Sequence, residues 1–303
     1  MDKTGFYDAV IANGVRVLCN ENMSNHTTFK TGGNADFFIN VKTRQELLFA
    51  VDTAKSTNTP YFIIGRGSNL LVSDKGIQGA VICLNEMRGI DIKDNMVSVK
   101  AGQSMQSLCT ALYKSGLSGL EFAYGIPGTV GGAVYMNAGA YGSEIADRIV
   151  SAEYLDKNGE IKVIKKADMR LSYRDSIFSK NGGIILSAEF ELSYGDPECI
   201  LAKMNGYLSR RKEKQPLEYP SAGSVFKRPE GNFAGTLIEK SGLKGTSVGG
   251  AQISEKHAGF IVNTGGATSG DVKALIEKVR EKVYADSGIE LEPEVIFIGR
   301  WEE

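Results

Sequence analysis

The sequence predicts an α+β fold with mixed sheets and a domain boundary near residue 205. Short apolar runs first alternate with a helical pattern in βαβ order and then continue into a strand-rich layer. Asn158-Gly159 between two apolar runs indicates a β-hairpin. Towards the C-terminus, apolar residues recur at helical spacing over 272–283, which indicates one amphipathic helix.

The first half of the chain contains four short apolar runs that predict strands. They cover Phe37–Val41, Tyr61–Ile64, Ala80–Leu84 and Met96–Lys100. Thr43 followed by Glu46 is typical of a capping box and predicts a helix after the first strand. A second helix is predicted over Ser104–Lys114, where Gly116 follows as a stop signal.

The second half resumes with strands and continues with helices between polar, glycine-rich loops. The predicted strands cover Val150–Asp156, Glu160–Ile164, Gly183–Leu192 and Glu290–Ile298. A helix that becomes very basic is predicted over 196–214. Ser269 is expected to cap the amphipathic helix at its start and Gly288 at its end.

Bulk composition excludes several classes of function. The chain has 303 residues, enough for about two domains or three small ones. Its 35 basic and 36 acidic residues give a net charge of −1, so no overall field attracts nucleic acid or an anionic membrane. The start does not resemble a signal peptide and no run is long enough to span a membrane, so we expect a cytoplasmic protein.

Cysteine and histidine usage argues against a metal site. The 4 cysteines include no C-x-x-C pair, which fits a reducing compartment. His26 and His257 have no partner at metal-ligand spacing, so we expect no bound metal.

Glycine is the outlier of the composition, with 36 residues against 7 prolines. It clusters in three loops, Thr28–Gly33, Gly65–Leu70 and Gly125–Gly142, where backbone N–H groups can approach an anion without Cβ clashes. This clustering predicts one extended ligand with phosphates or rings. The second loop lacks the full dinucleotide fingerprint, and a tight turn without a ligand is an equal alternative. Pro127 is expected to open a helix whose N-terminus receives pyrophosphate, the alternative being close helix packing through glycine.

Six motifs in chain order resemble the UDP-N-acetylenolpyruvoylglucosamine reductases, the MurB family. They are the three glycine loops together with Tyr173–Ser176 (YRDS), Ser221–Pro229 (SAGSVFKRP) and Leu291–Val295 (LEPEV). The likeness covers residues 20–300 approximately.

The resemblance implies an FAD-binding domain of the vanillyl-alcohol-oxidase type in two lobes, 1–90 and 91–204, followed by an α+β substrate-binding domain, 205–303. It implies non-covalent FAD, although the wider fold group can attach flavin to a histidine such as His26. NADPH is the implied co-substrate. Because Gly183–Leu192 runs almost directly into the next helix, the chain resembles the shorter type of the family, which lacks a lid tyrosine loop. The implied cofactor-binding residues are Thr31, Gly32, Gly65, Arg66, Gly67, Ser68, Asn69, Leu70, Gly125, Pro127, Gly128, Gly131, Gly132, Asn137 and Gly139.

The implied reaction is the reduction of an enolpyruvyl ether to UDP-N-acetylmuramate. Hydride addition to the terminal carbon leaves negative charge on the adjacent carbon and its carboxylate, so the site needs a cation at the carboxylate and an acid at the carbanion. Arg174 suits the carboxylate as a rigid charged fork, unless it pairs with Asp175. The resemblance implies Ser224 as the proton donor and Glu294 as a donor to the enolate. A turn serine is the alternative for the former, and Glu292, expected on the same strand face, is the rival of the latter.

Further residues are candidates for the remainder of the substrate. Lys214 and Arg228 flank the serine motif and suit a uridine diphosphate, although a solvated helix end is an equal alternative for Lys214. Tyr173 and Gln252 are additional candidates. We expect a monomer that binds the UDP-sugar enolpyruvyl ether and neither nucleic acid nor membrane. A flavin oxidase of the same fold group and a non-catalytic nucleotide-binding protein are the rival interpretations.

Overall fold

The computed structural model describes residues 2–301. The helices are α1 (Lys3–Ala12), α2 (Arg44–Ser56), α3 (Met105–Lys114), α4 (Val130–Tyr135), α5 (Phe178–Asn181), α6 (Pro197–Lys214), α7 (Ala234–Lys240) and α8 (Ser269–Ser287). The strands are β1 (Val17–Asn22), β2 (Asn34–Asn40), β3 (Tyr61–Ile64), β4 (Leu70–Val72), β5 (Ile77–Cys83), β6 (Ile90–Lys93), β7 (Met96–Lys100), β8 (Leu117–Ser118), β9 (Gly139–Ala140), β10 (Ser143–Glu144), β11 (Ile149–Leu155), β12 (Ile161–Lys165), β13 (Ile184–Glu191), β14 (Ser193–Tyr194), β15 (Ser247–Val248), β16 (Ala251–Ile253), β17 (Ile261–Asn263) and β18 (Ile296–Ile298).

The chain divides into two compact units, each assembled from separate segments. The first unit holds Phe38–Arg66, Ala80–Arg211 and the described part of 1–18. The second holds Cys19–Phe37, Gly67–Gly79 and the described residues from Lys212 onward. The boundary predicted at residue 205 lies inside α6, whereas the division between the units follows Arg211. The three-part division of the chain stays a prediction.

The first unit is built on a five-stranded antiparallel sheet in the order β12-β11-β13-β7-β6. Helix α4 packs against β13 and β7. The hairpin between β11 and β12 turns at the predicted place, where Asp156 N donates to Glu160 O over 2.9 Å and Gly159 takes a φ of +89°. A parallel pair, β3 with the Ala80–Cys83 part of β5, is also in this unit.

The second unit has one apolar core beneath helix α8. The predicted stripe of α8, from Val272 to Val283, is buried at every apolar position. It packs with Phe29, Leu71 and Val225 and with a three-stranded antiparallel sheet in the order β15-β16-β17. Strand β18 pairs in parallel with β4, so a segment near the C-terminus lies beside the glycine loop before β4.

Most element boundaries agree with the predictions, and the exceptions have local causes. Thr268, not Ser269, caps α8, because its side chain forms a capping box with Asp271. Helix α4 begins at Val130 under a Thr129 cap, so the expectation that Pro127 opens a helix is wrong. The last strand is also shorter than predicted, since β18 covers Ile296–Ile298 only.

The helices and the placement of acidic, cysteine and histidine side chains bear on membrane insertion and on metal binding. Among residues 2–301, no helix combines the length and the apolar character needed to cross a membrane. The same residues contain no group of three or more His, Cys, Asp or Glu side chains placed to hold a metal ion.

Candidate active site

The predicted site residues are distributed over both units. In the first unit are Gly65, Arg66, Gly125, Pro127, Gly128, Gly131, Gly132, Asn137, Gly139, Tyr173 and Arg174. In the second are Thr31, Gly32, Gly67, Ser68, Asn69, Leu70, Lys214, Ser224, Arg228, Gln252 and Glu294.

The second unit brings two of the glycine loops together. Thr28 N donates to Gly67 O over 3.2 Å, and Gly33 N donates to Ser73 O over 2.9 Å. Gly67 has a φ of +61°, and a Cβ at this position would lie 2.1 Å from His26 O. Because the left-handed conformation and the close approach both require glycine, the Gly67 turn is fixed by the backbone itself.

Two buried hydroxyl groups in the adjoining Thr28–Gly33 loop have no partner in the described part of the chain. Thr28 Oγ1 and Thr31 Oγ1 are inaccessible and make no hydrogen bond within residues 2–301. A buried hydroxyl without a partner is costly, so such groups call for an explanation. A glycine cradle with two spare hydroxyls fits a polar, phosphate-bearing cofactor, which is the chemistry that FAD presents.

The same unit places Ser224 next to Glu294 through the backbone of Val225. Val225 N donates to Gly259 O over 2.9 Å, and Val225 O accepts from Glu294 N over 2.6 Å. Asn69 Nδ2 donates to Glu294 O over 3.0 Å, which connects the glycine loop to the same segment. The half-buried Ser224 makes no side-chain hydrogen bond to any residue in 2–301, so its Oγ is available to a ligand.

Glu294 does not lie on the last strand as predicted. It precedes β18, in a segment whose Pro293 bridges to Phe226. Proline has no N–H to donate, and Glu294 donates to Val225 rather than continuing the ladder of β18. The rival carboxylate, Glu292, pairs with Lys227 Nζ over 2.5 Å and is exposed.

In the first unit, hydrogen bonds join the third glycine loop to the Tyr173–Ser176 turn. Asn137 Nδ2 donates to Ser172 O over 3.0 Å, and Asn137 Oδ1 accepts from Ala146 N over 2.9 Å. Ser176 Oγ donates to Tyr135 O over 2.7 Å. Asn137 is fully buried and its side chain supports the loop from inside, and its cofactor contact stays a prediction.

Arg174 occupies a strained position in that turn. Its φ is +55°, a conformation that costs a non-glycine residue roughly 1–2 kcal/mol and that tends to occur at functional sites. Nη2 donates to Gly139 O over 3.2 Å, and the guanidinium carbon lies 5.1 Å from the Tyr173 ring centroid.

Asp175, the alternative partner of Arg174, is bonded to other side chains. Lys180 Nζ lies 2.6 Å from Asp175 Oδ2, and Ser179 Oγ donates to the other carboxylate oxygen. These two partners, Lys180 first, hold the pKa of Asp175 below its usual range. The carboxylate that would neutralise Arg174 within its own turn is therefore engaged elsewhere.

The start of α4 is closed by the chain itself. Val130 N donates to Gln103 O over 2.8 Å, and Gly131 N donates to Ala101 O over 2.9 Å. A Cβ on Gly131 would lie 2.9 Å from the Ala101 Cβ. For Gly131 these contacts favour close packing, the alternative considered from the sequence, over a pyrophosphate contact at a helix N-terminus. The cofactor contacts of the neighbouring Gly128 and Gly132 stay predictions.

Arg211 is a further candidate that the sequence did not single out. It lies on α6 with its side chain against Gly125, where a Cβ would be 3.0 Å from Arg211 Cδ. Tyr207, one turn earlier, stacks on Tyr141 with ring centroids 4.7 Å apart. The half-buried guanidinium makes no ion pair within residues 2–301, and burial lowers its pKa. An unpaired cation of this kind is suited to an anionic ligand. Within a basic helix end, the sequence offered no signal to distinguish it.

The remaining predicted substrate residues have varied surroundings. Lys214 is exposed at the end of α6. Arg228 is exposed with its guanidinium carbon 4.6 Å from the Phe233 ring centroid. Gln252 Nε2 donates to Gly245 O over 3.2 Å and to Ser247 Oγ over 3.1 Å, so this amide supports the β15–β16 turn.

Family models match both halves of this arrangement. Residues 35–165 match the model described as an FAD binding domain, and residues 215–298 match the C-terminal domain of UDP-N-acetylenolpyruvoylglucosamine reductase. A Phl p 4 variant described as a glucose oxidase shares the fold alone, at a TM-score of 0.50 and 18% identity over 64% of this chain and 44% of that one. The chain is thus a flavoprotein with an FAD-binding domain of the vanillyl-alcohol-oxidase type.

Relatives over the full length identify the family more narrowly. UDP-N-acetylenolpyruvoylglucosamine reductase of Clostridium novyi is 48% identical, over 93% of this chain and 92% of the relative. That of Lachnoclostridium phytofermentans is also 48% identical, over 94% and 93%. The crystal structure of the Thermus caldophilus enzyme matches with a TM-score of 0.80 and 37% identity, over 93% of this chain and 98% of that one. The chain belongs to the UDP-N-acetylenolpyruvoylglucosamine reductase family, MurB, as its motifs predicted.

Proposed function

We propose that this protein reduces UDP-N-acetylglucosamine enolpyruvate to UDP-N-acetylmuramate with NADPH as the reductant, in peptidoglycan precursor synthesis. The observation that carries this function is the 48% identity to a reductase of that name over 93% of the chain. The protein is accordingly an FAD-dependent oxidoreductase. We place the reaction in the cytoplasm and take a monomer as the working unit.

The chain's own groups suit the binding of FAD without a covalent link. Glycine at position 67 lets the turn lie against His26 O, and Thr28 and Thr31 in the adjoining loop carry hydroxyls with no partner within residues 2–301. The chemistry supplied by bound FAD is the transfer of a hydride from NADPH to the enolpyruvyl ether.

Arg174 is proposed to hold the carboxylate of the enolpyruvyl group. As hydride reaches the terminal carbon, negative charge develops on the adjacent carbon and spreads into this carboxylate. A guanidinium fixed in the turn stabilises that charge without reorganising, which is the main benefit of a preorganised site. The strained backbone of Arg174 and its bond to Gly139 O keep the fork in place.

Ser224 is proposed to complete the reduction by moving its Oγ proton to the carbon next to the carboxylate. A serine is a weak acid, but a carbanion beside an ether oxygen is strongly basic and needs only a well-placed proton. Glu294, if protonated, would donate to the enolate oxygen and lower the basicity of the carbanion. Their shared attachment to Val225 supports a joint role.

The diphosphate of the substrate requires additional cations. Lys214 and Arg228 are proposed for this task from the sequence, and we add Arg211 because its guanidinium is half-buried and unpaired within residues 2–301. Tyr173 and Gln252 remain lesser candidates for contacts to the substrate.

Separate measurement of the two half-reactions tests this assignment. Stopped-flow bleaching of the flavin by NADPH should be unchanged in Ser224→Ala, because no acid is needed to take up the hydride. Recolouring by the enolpyruvyl substrate should slow by about 10²–10⁴-fold, the usual contribution of a general acid. Ser221→Ala, in the same loop, is the matched control and should leave both rates intact. Equal damage to both half-reactions by Ser224→Ala contradicts the role.

A further inference from the structure

His257 lies in the turn between β16 and β17, beside the segment that pairs with Ser224. Its Nδ1 accepts a hydrogen bond from Gly259 N over 3.1 Å. Phe260, the next residue, forms an antiparallel bridge with Ser224, and Gly259 O accepts from Val225 N over 2.9 Å. The imidazole is therefore bonded to the residue that, through its carbonyl, fixes the main chain at Ser224.

The half-buried His257 ring packs against two glycines and one aromatic ring. A Cβ on Gly259 would lie 3.0 Å from His257 Cε1, and one on Gly235 would lie 3.5 Å from the same atom. The Phe260 ring packs edge-on against the imidazole, with centroids 4.9 Å apart. Because glycine occurs on both sides and an aromatic ring lies at the edge, the imidazole determines the path of Gly259 and Phe260.

We propose that neutral His257, with an unprotonated Nδ1, is a positioning residue that holds Ser224 in place for proton delivery. This inference rests on the proposed function, since it assumes that the Ser224 hydroxyl is the acid. His257 acts through Gly259 and Val225 and does not need to touch the substrate. A displacement of about 1 Å at a reacting group can cost up to about 100-fold in rate, so a supporting bond at this distance from the chemistry matters.

The charges around the ring determine the direction of its pH dependence. Burial lowers the pKa of His257 below its ordinary value, and a bond to the backbone of His257 itself opposes this shift. Lys244 lowers the pKa and Glu239 raises it, and these two side chains pair with each other over 2.8 Å. In the same turn, Glu255 is exposed and Lys256 Nζ is bonded to Lys212 O. The neutral form is thus favoured in the fold near pH 7.

Protonation would place a hydrogen on Nδ1, directly opposite the Gly259 N–H. The acceptor would be lost, and the Gly259 segment would shift away from the ring. Because the folded-state pKa is lowered, this loss belongs to the range below the ordinary histidine value of about 6.5. Substrate reduction should therefore fall as pH decreases through that range, while flavin reduction by NADPH should not follow this titration.

Two substitutions at His257 separate the loss of the hydrogen-bond acceptor from the protonation of the ring. His257→Asn places an amide oxygen near the position of Nδ1 and cannot ionise in this range, whereas His257→Leu has no acceptor. We expect His257→Leu to slow flavin recolouring by the substrate about 10–100-fold with flavin bleaching by NADPH nearly unchanged. His257→Asn should recover most of the recolouring rate and should lack the acidic decline.

The Ser224→Ala background distinguishes failure of this inference from failure of the proposed function. If His257 acts through Ser224, His257→Leu should cause no further loss of recolouring in Ser224→Ala. Full recolouring in Ser224→Ala itself overturns the proposed function. Slow Ser224→Ala together with unimpaired His257→Leu overturns the His257 inference, as does equal damage to both half-reactions. Should His257→Leu fail to fold, persistence of the wild-type acidic decline in His257→Asn overturns it instead.

Discussion

Removing the buried Thr31 hydroxyl should stabilise the FAD-free protein and weaken the binding of FAD. Thr31 is 3% exposed, and its Oγ1 makes no hydrogen bond within residues 2–301. Thr31→Val replaces this hydroxyl with a methyl group of similar size. The FAD-free protein should gain stability from the change, whereas FAD should bind less tightly if the hydroxyl contacts it.

The magnitudes follow from the burial of the group. Leaving a buried donor unsatisfied costs about 1–3 kcal/mol, so the free energy of unfolding of FAD-free Thr31→Val should rise by up to that amount. A hydrogen bond to a charged group such as a phosphate contributes about 1.5–3 kcal/mol. Its loss should raise the Kd for FAD by about 10–100-fold.

Urea unfolding of the flavin-free protein and flavin-fluorescence titration measure the two quantities separately. Thr27→Val is the matched control, because Thr27 is equally buried but its Oγ1 already donates to Thr31 O over 2.9 Å. That control should lose about 1 kcal/mol of stability without FAD. A Thr31→Val protein that is destabilised without FAD, or that binds FAD as tightly as the wild type, would refute the reasoning.

Two further substitutions test other parts of the site. Arg211→Met removes the unpaired guanidinium, so KM for the UDP-sugar should rise about tenfold in steady-state assays while the melting temperature does not fall; an unchanged KM contradicts the role. Gly67→Ala, at a φ of +61° with His26 O 2.1 Å from the new Cβ, should abolish FAD retention on purification. Gly14→Ala, at a φ of +70° with no heavy atom within 4 Å of its Cβ, carries only the backbone strain and should retain FAD.

Elements specified by neighbouring residues were predictable from the sequence. Helix α3 ends at Lys114 as expected and begins one residue later than predicted, because Ser104 is its cap, and β3 covers Tyr61–Ile64 as expected. The helix caps were predicted less well, because the choice of a cap depends on its hydrogen-bond partners. Ser269 and Thr268 are both suitable caps, and the choice depends on Asp271 bonding back to Thr268 N. Similarly, α4 begins at Val130 because Gln103 and Ala101 supply the acceptors, which no local pattern reveals.

The site residues also divide into those that a sequence motif reveals and those that only the packing reveals. Arg174, Ser224 and Glu294 were found through motifs, and their roles stay predictions. Arg211 and His257, the two residues proposed from the structure, were not singled out by the sequence, since the reasons for proposing them are contacts with segments far away in the sequence. Arg211 gains its environment from the Gly125 loop, and His257 gains its environment from Gly235 on helix α7. The amino-acid sequence alone does not distinguish such residues from solvent-exposed ones.

Ser224 illustrates why the packing matters for the chemistry. The hydroxyl of a serine is a poor acid, so its use depends on placement rather than on acidity. The structure uses the backbone for placement: both the N–H and the C=O of Val225 are bonded, at 2.9 and 2.6 Å, to segments on either side. The Ser224 side chain makes no hydrogen bond within residues 2–301, which is consistent with its proposed role as the proton donor. An acid held in this way should be sensitive to changes in Gly259 and its support, which is the effect that the His257 substitutions are designed to measure.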